Sequence, residues 1–239
     1  MAVPPSTRAA TNIAQISNSC SIYELYRIRV AGMDFVHPIA AVIPGAQGRV
    51  LAVLAETTAE LNLRTLAMLS GVSVAQASRV LPGLVELGLV QRREVPPSSQ
   101  FRLVRTHVAA RAVLELAAAR DTVLIEIGRV AETLAVPPVS VIVFGSFARG
   151  EAGPDSDLDV VFVRPASVDE DDTRWAASIE QWRNAVRALT GNPVEILEVG
   201  TDEAASRLTS GRQVWRDIRR DGRVVHGLSL DELAGVHSA

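Results

Sequence analysis

From Gln47 onward, apolar positions recur in two rhythms, helical first and alternating later. Gly48–Glu56 (GRVLAVLAE) reads as one apolar helix. In NLRTLAMLSG, Leu63, Leu66 and Leu69 fall at helical spacing before a glycine stop. SVAQASRVLPGLVELG follows, with Ser73 as N-cap and Gly88 as stop. Its Val74, Ala77, Leu81, Leu84 and Leu87 recur at three- and four-residue steps, which predicts one buried face. Pro82-Gly83 interrupts that helix. A proline there removes a donor and clashes with the preceding turn at a cost of about 3 kcal/mol, so a kink or split is predicted. LVQRREV and QFRLV then read as two short strands around a PPSS turn. Farther on, residues 107–135 predict a long helical stretch broken near Asp121, and Pro137-Pro138 resets the chain.

The last hundred residues alternate between strand and helix. SVIVFGS and LDVVFV are buried strands. Trp175, Ile179, Trp182, Val186 and Leu189 form one face of a helix ended by Gly191, and PVEILEV is a third strand. Helical segments and a terminal strand or tail complete the chain. Residues 1–35 show no sustained period and predict a mobile arm, with Met33 a candidate true start.

Three helices and a hairpin, with a short turn between the second and third helix, outline a winged helix-turn-helix. The predicted fold class is therefore α+β in two domains. An arm (1–35) leads into a winged helix-turn-helix (36–106). A helical connector (107–137) then joins it to a mixed sheet flanked by helices (138–239). Residues 45–105 resemble bacterial winged-helix regulators, in the run LA..SGVS...ASR.L..L.ELGLV.RR. The resemblance implies DNA binding. Ser73, Gln76, Ser78 and Arg79 would face the groove, and Arg92, Arg93 and Arg102 on the wing would face phosphates.

Composition supports two globular halves. The 239 residues are 48% hydrophobic but only 4% aromatic, so the core must be mostly aliphatic. All 24 basic residues are arginine, which we read as a coding bias. Seven Arg against four Glu make residues 36–106 net +3, whereas eleven Arg against seventeen acids make residues 138–239 net −6. Opposite signs suggest different partners. A charge of +3 is modest for gripping duplex DNA, so a homodimer is expected. Cys20 is the only cysteine, which excludes an intramolecular disulfide and leaves oxygen or histidine ligands for any metal. No membrane span and no leader pattern appear, so a cytoplasmic location is expected.

The candidate chemistry lies in GSFARGEAGPDSDLDV, residues 145–160. A glycine at a strand's end lets backbone approach a phosphate closely; Ser146 adds a hydroxyl, and Arg149 a cation one turn later. Asp157 and Asp159 are two residues apart on a strand, so both point to one face. Facing carboxylates repel unless a cation sits between them, and magnesium that also contacts phosphate oxygens is the natural occupant.

VFGS, ten residues, then DLDV closely resembles the minimal members of the nucleotidyltransferase superfamily related to DNA polymerase beta. The likeness covers residues 138 to about 227, and the closing QVWRDIRRDGRVVHG extends it. It implies that Gly145, Ser146, Arg149 and Ser156 contact the nucleotide, with Ser156 shaping the turn before Asp157. It implies that Asp157 and Asp159 hold two Mg2+ ions, Mn2+ being the alternative. A third carboxylate would complete the catalytic set. Glu195 is preferred for its place near the strand's start, while Glu198 also fits the pattern; the resemblance implies that this third acid helps hold one metal ion and activates the acceptor hydroxyl as general base. The implied reaction moves a nucleoside monophosphate from a nucleoside triphosphate, with ATP the expected donor, to an acceptor hydroxyl. Relatives of this type modify tRNA or partner proteins in toxin–antitoxin systems, or adenylylate small antibiotics, so the acceptor stays open between tRNA, protein and small molecule. The alternative is a transcription regulator whose degenerate nucleotidyltransferase domain only senses nucleotide. The scattered histidines show no metal-ligand spacing. The three tryptophans read as packing, and the DEDD run (169–172) as a solvated helix start.

Overall fold

The computed structural model describes residues 32–235. Most of the arm expected over residues 1–35, with Cys20, lies outside them. Its last residues, 32–35, are not free. Gly32 N–H donates to the Pro154 carbonyl (3.0 Å), Met33 N–H to the Thr190 carbonyl (3.1 Å), and Phe35 N–H to the Ala152 carbonyl (3.0 Å). The Phe35 ring meets Phe147 edge-on at 4.8 Å. An apolar ring docks here because Phe147 offers it a buried neighbour, a contact that local periodicity cannot reveal.

The first half comprises α1 (Pro38–Val42), α2 (Ala46–Glu56), β1 (Leu61–Asn62), α3 (Leu63–Leu69), α4 (Val74–Glu86), β2 (Val90–Val95) and β3 (Ser98–Leu103). The hairpin β2–β3 is antiparallel and β1 adds to β3, giving the order β1-β3-β2. Val50, Leu54, Leu66, Ala77, Leu81 and Phe101 form its core. Ser73 and Gln76 make a reciprocal capping box at the start of α4. The predicted split at Pro82 does not occur, and α4 runs unbroken to Glu86. Ala77, Leu81 and Leu84 anchor the helix on both sides of the proline, while Pro82 itself faces outward, which offsets the lost backbone bond. Val74 and Leu87, predicted to be buried, are 46% and 58% exposed because they lie at the helix ends, beyond the core.

Helices α5 (Val108–Ala117) and α6 (Ala119–Glu132) form the connector, and the break falls at Ala118 rather than near Asp121. The second half then runs β4 (Ser140–Phe144), α7 (Gly145–Arg149), β5 (Leu158–Arg164), α8 (Thr173–Thr190), β6 (Val194–Gly200), α9 (Thr201–Thr209), α10 (Gln213–Asp221), β7 (Arg223–Gly227) and α11 (Leu230–Leu233). The sheet order is β6-β5-β4-β7, with only β5 and β6 parallel. On one face Val160 and Phe162 meet Trp175 and Trp182 of α8 and Ile127 of α6. On the other, Ile142, Val161 and Val163 meet Leu208, Trp215 and Ile218 of α9 and α10. Both faces are covered, which explains the nearly unbroken apolar runs in β4 and β5. Asp172 caps α8 by accepting from Arg174 N–H (2.7 Å). All three tryptophans are buried, whereas Leu189, at the helix end, is 48% exposed.

Candidate functional site

The edge where β4 passes into α7 collects the motif residues. Antiparallel pairing sets Phe144 opposite Asp159, and parallel pairing sets Asp159 beside Glu195. Paired residues of neighbouring strands share a face, so the Asp159 and Glu195 side chains leave the sheet on the same side. Asp157, two residues before Asp159, precedes β5 and is exposed. Gly145 has φ +69°, and a Cβ added there would overlap Asp159 Oδ2 and lie 3.1 Å from its Cγ. Glycine is therefore what lets this carboxylate sit against the turn.

Among the described residues, no side chain donates a hydrogen bond to Asp157, Asp159 or Glu195. Asp159 is the perturbed member. Burial, then Asp157, then Glu195 raise its pKa above the usual 3.8, and Arg149 only partly opposes them. Like charges held together without donors form a set that calls for an external cation. Among the described residues, no group of three or more His, Cys, Asp or Glu is gathered closely enough to hold a metal ion by itself. Magnesium usually takes one or two carboxylates and completes its shell with phosphate oxygens and water, so the donor set fits such an ion arriving with a nucleotide.

The remaining predicted residues divide. Ser146 is the second residue of α7, and its hydroxyl has no partner among the described residues. Ser156 uses its hydroxyl within the turn, accepting from Gly153 N–H at 3.0 Å. The Arg149 guanidinium donates to Glu151 (2.8 Å) and lies 4.0 Å from Asp221. Glu198 lies on the opposite face of the sheet from Glu195, where it accepts from Arg164 Nε and Trp175 Nε1, each at 2.9 Å. A residue the sequence reading overlooked, Asn192, is buried and bonded to the loop before Asp157. Nothing in the local GNP pattern signals it beyond a helix stop.

In the first half, Gln76, Ser78 and Arg79 lie exposed on α4, and Arg79 has no ion-pair partner among the described residues. Ser73 and Gln76 are engaged in the capping box. The wing arginines are internally compensated. Arg92 pairs with Glu94 (2.7 Å), Arg93 contacts Glu60 and Gln100, and Arg102 lies 4.0 Å from Glu60 while bonding Gln91. Among the described residues no helix is long and apolar enough to cross a membrane.

Fold and site define a two-domain protein, a winged helix-turn-helix joined to a nucleotidyltransferase-type sheet. Comparison with known families agrees: residues 127–218 match the nucleotidyltransferase domain and residues 48–94 match the IclR helix-turn-helix domain. The chain is thus a fusion of these two domains. No curated protein matches it. Two solved structures align over 48% of this chain. One, the crystal structure of a toxin–antitoxin with AMP-PNP, is 16% identical over 81% of its own chain, with a TM-score of 0.31. The other, RV1404 from Mycobacterium tuberculosis, is 26% identical over 76% of its own chain, with a TM-score of 0.29.

Proposed function

We propose that the second domain transfers a nucleoside monophosphate from a nucleoside triphosphate, ATP by preference, to an acceptor hydroxyl, and that the first domain binds DNA. One observation carries the reading: Asp159 and Glu195 are register neighbours, next to Asp157, with no side-chain donor to any of the three among the described residues. Asp157 and Asp159 would hold the divalent cations, Mg2+ or Mn2+, with Glu195 beside them. When bound, these ions would neutralise phosphate charge and favour loss of pyrophosphate. Gly145 and Ser146 would bind the triphosphate through close backbone approach and the free hydroxyl. Glu195, exposed and without a hydrogen-bond or ion-pair partner among the described residues, would orient the acceptor hydroxyl and take its proton. The acceptor oxygen then bonds to the α-phosphorus, the bond to the β-phosphate bridge oxygen breaks, and pyrophosphate leaves. Supply of the triphosphate and access to DNA both fit a cytoplasmic setting, with a homodimer supplying two DNA-binding surfaces.

Labelled ATP, CTP, GTP or UTP, magnesium and a cell extract test this directly. Transfer by wild type that is lost in Asp157→Ala supports the reading, and nucleotide binding with no transfer in wild type refutes it. A second reading, a nucleotide-sensing regulator, has its own support. Arg149 is already engaged by Glu151, and no complete protein-only metal cage exists among the described residues. For the first domain, a promoter shift assay across a salt series should show affinity falling steeply with salt.

A further inference from the structure

Asp157 is exposed and lies outside β5, yet its backbone is fixed on both sides. The preceding Ser156 carbonyl accepts from Asn192 Nδ2 at 2.9 Å. The following Leu158 N–H donates to the Pro193 carbonyl at 2.8 Å. Two consecutive residues, Asn192 and Pro193, therefore bracket the candidate ligand. Asn192 is 1% exposed, and each of its polar side-chain atoms is used. Nδ2 also reaches the Gly153 carbonyl (3.4 Å), and Oδ1 accepts from Met33 N–H (3.1 Å). Its backbone N–H donates to Thr190 Oγ1 at 3.2 Å. The side chain thus joins the 32–35 segment, the 153–156 turn and the entry to β6, the strand that carries Glu195.

We propose that Asn192 is the positioning residue of the metal site: it sets the direction of the Asp157 carboxylate through the Ser156 carbonyl. The inference rests on the proposed nucleotidyl-transfer reading. A buried amide suits the task because it supplies a donor to one chain segment and an acceptor to another at once, whereas alanine supplies neither and aspartate loses the donor. An unpaired Ser156 carbonyl would turn toward water and take Asp157 with it. The 32–35 segment supports the clamp from the other side. Gly32 leaves no room for a Cβ, which would lie 2.8 Å from Asn192 Oδ1. Gly32→Ala should therefore displace Asn192 without altering it.

The test measures Mn2+ uptake in the presence of ATP, by the loss of the free-ion electron paramagnetic resonance signal, in the full-length chain. Asn192→Ala and Asn192→Asp are expected to weaken uptake by about tenfold or more, as loss of a supporting hydrogen bond typically does. Gly32→Ala should do the same in smaller measure. Thr190→Val, which removes the hydroxyl's bonds to the Asn192 backbone N–H and the Val186 carbonyl but none made by the Asn192 side chain, should lower melting temperature and leave Mn2+ uptake unchanged. Amide exchange should rise over residues 153–157 in Asn192→Ala while strand β5 stays protected. A folded Asn192→Asp or Gly32→Ala protein that binds Mn2+ like wild type overturns the inference, even if Asn192→Ala fails to fold. Wild-type protein that takes up no Mn2+ with ATP refutes the nucleotidyl-transfer reading, and the inference falls with it.

Discussion

Gly145→Ala probes the tightest contact of the site. Two costs are expected. The backbone stands at φ +69°, where an L side chain is strained by about 1–2 kcal/mol. The new methyl also overlaps the Asp159 carboxylate, whose Cγ and Cβ it would meet at 3.1 and 3.4 Å. Asp159 must retreat, and a displacement on the order of 1 Å in a reacting constellation can cost about 100-fold in rate. Calorimetry should show the second domain destabilised by about 1–3 kcal/mol, and the label-transfer assay a loss of about 100-fold or more. Gly153→Ala is the control, since its added Cβ meets nothing within 4 Å and its φ is ordinary. A double-mutant cycle separates the two costs. In an Asp159→Ala background the overlap is gone, so only the backbone strain of about 1–2 kcal/mol should remain. An equal penalty in both backgrounds would show that the carboxylate contact is not the constraint.

Asp159→Asn should stabilise the metal-free protein at neutral pH while abolishing transfer. The stability that protonated Asp159 contributes is complete below its unfolded value of 3.8 and is lost as pH rises through its elevated folded value. Chelator-treated samples melted across acidic to neutral pH should therefore show wild type and variant converging in acid. Trp182→Ala, which removes a fully buried ring lying 4.7 Å from Phe162 and donating to the Ile127 carbonyl, should cost about 3–5 kcal/mol in chemical denaturation. Glu60→Gln frees Arg93 and Arg102 on the wing. It should steepen the salt dependence of duplex binding by about one to two phosphate contacts in a shift assay, and an unchanged slope would argue that the wing does not touch DNA.

Much of the local frame is legible in the amino-acid string. A period near 3.6 marks the Trp175-to-Val186 face of α8, and the apolar runs mark β4 and β5, although β5 begins only at Leu158 and leaves Asp157 outside the strand. These patterns are legible because each compares residues within one element, whose geometry the backbone dictates. Pro82 shows where that logic stops. The local penalty predicts a kink or a split, and core contacts on both sides of the proline exclude the split by holding α4 in one piece.

The choice between Glu195 and Glu198 is of another kind. Either fits an apolar-acid-apolar pattern, and only the parallel register of β5 and β6 sets Glu195 beside Asp159 while Glu198 is drawn to Arg164 and Trp175 on the far face. The wing is similar: Arg92, Arg93 and Arg102 are visible in the sequence, but their compensation by Glu60 and Glu94 arises only when strands and turns meet. Asn192 is the extreme case, since a short polar residue after a helix-ending glycine looks like solvent-exposed loop. Periodicity determines which way a side chain points from its own helix or strand. Tertiary structure decides what it points at, because register, burial and partner choice depend on residues that are distant in the chain.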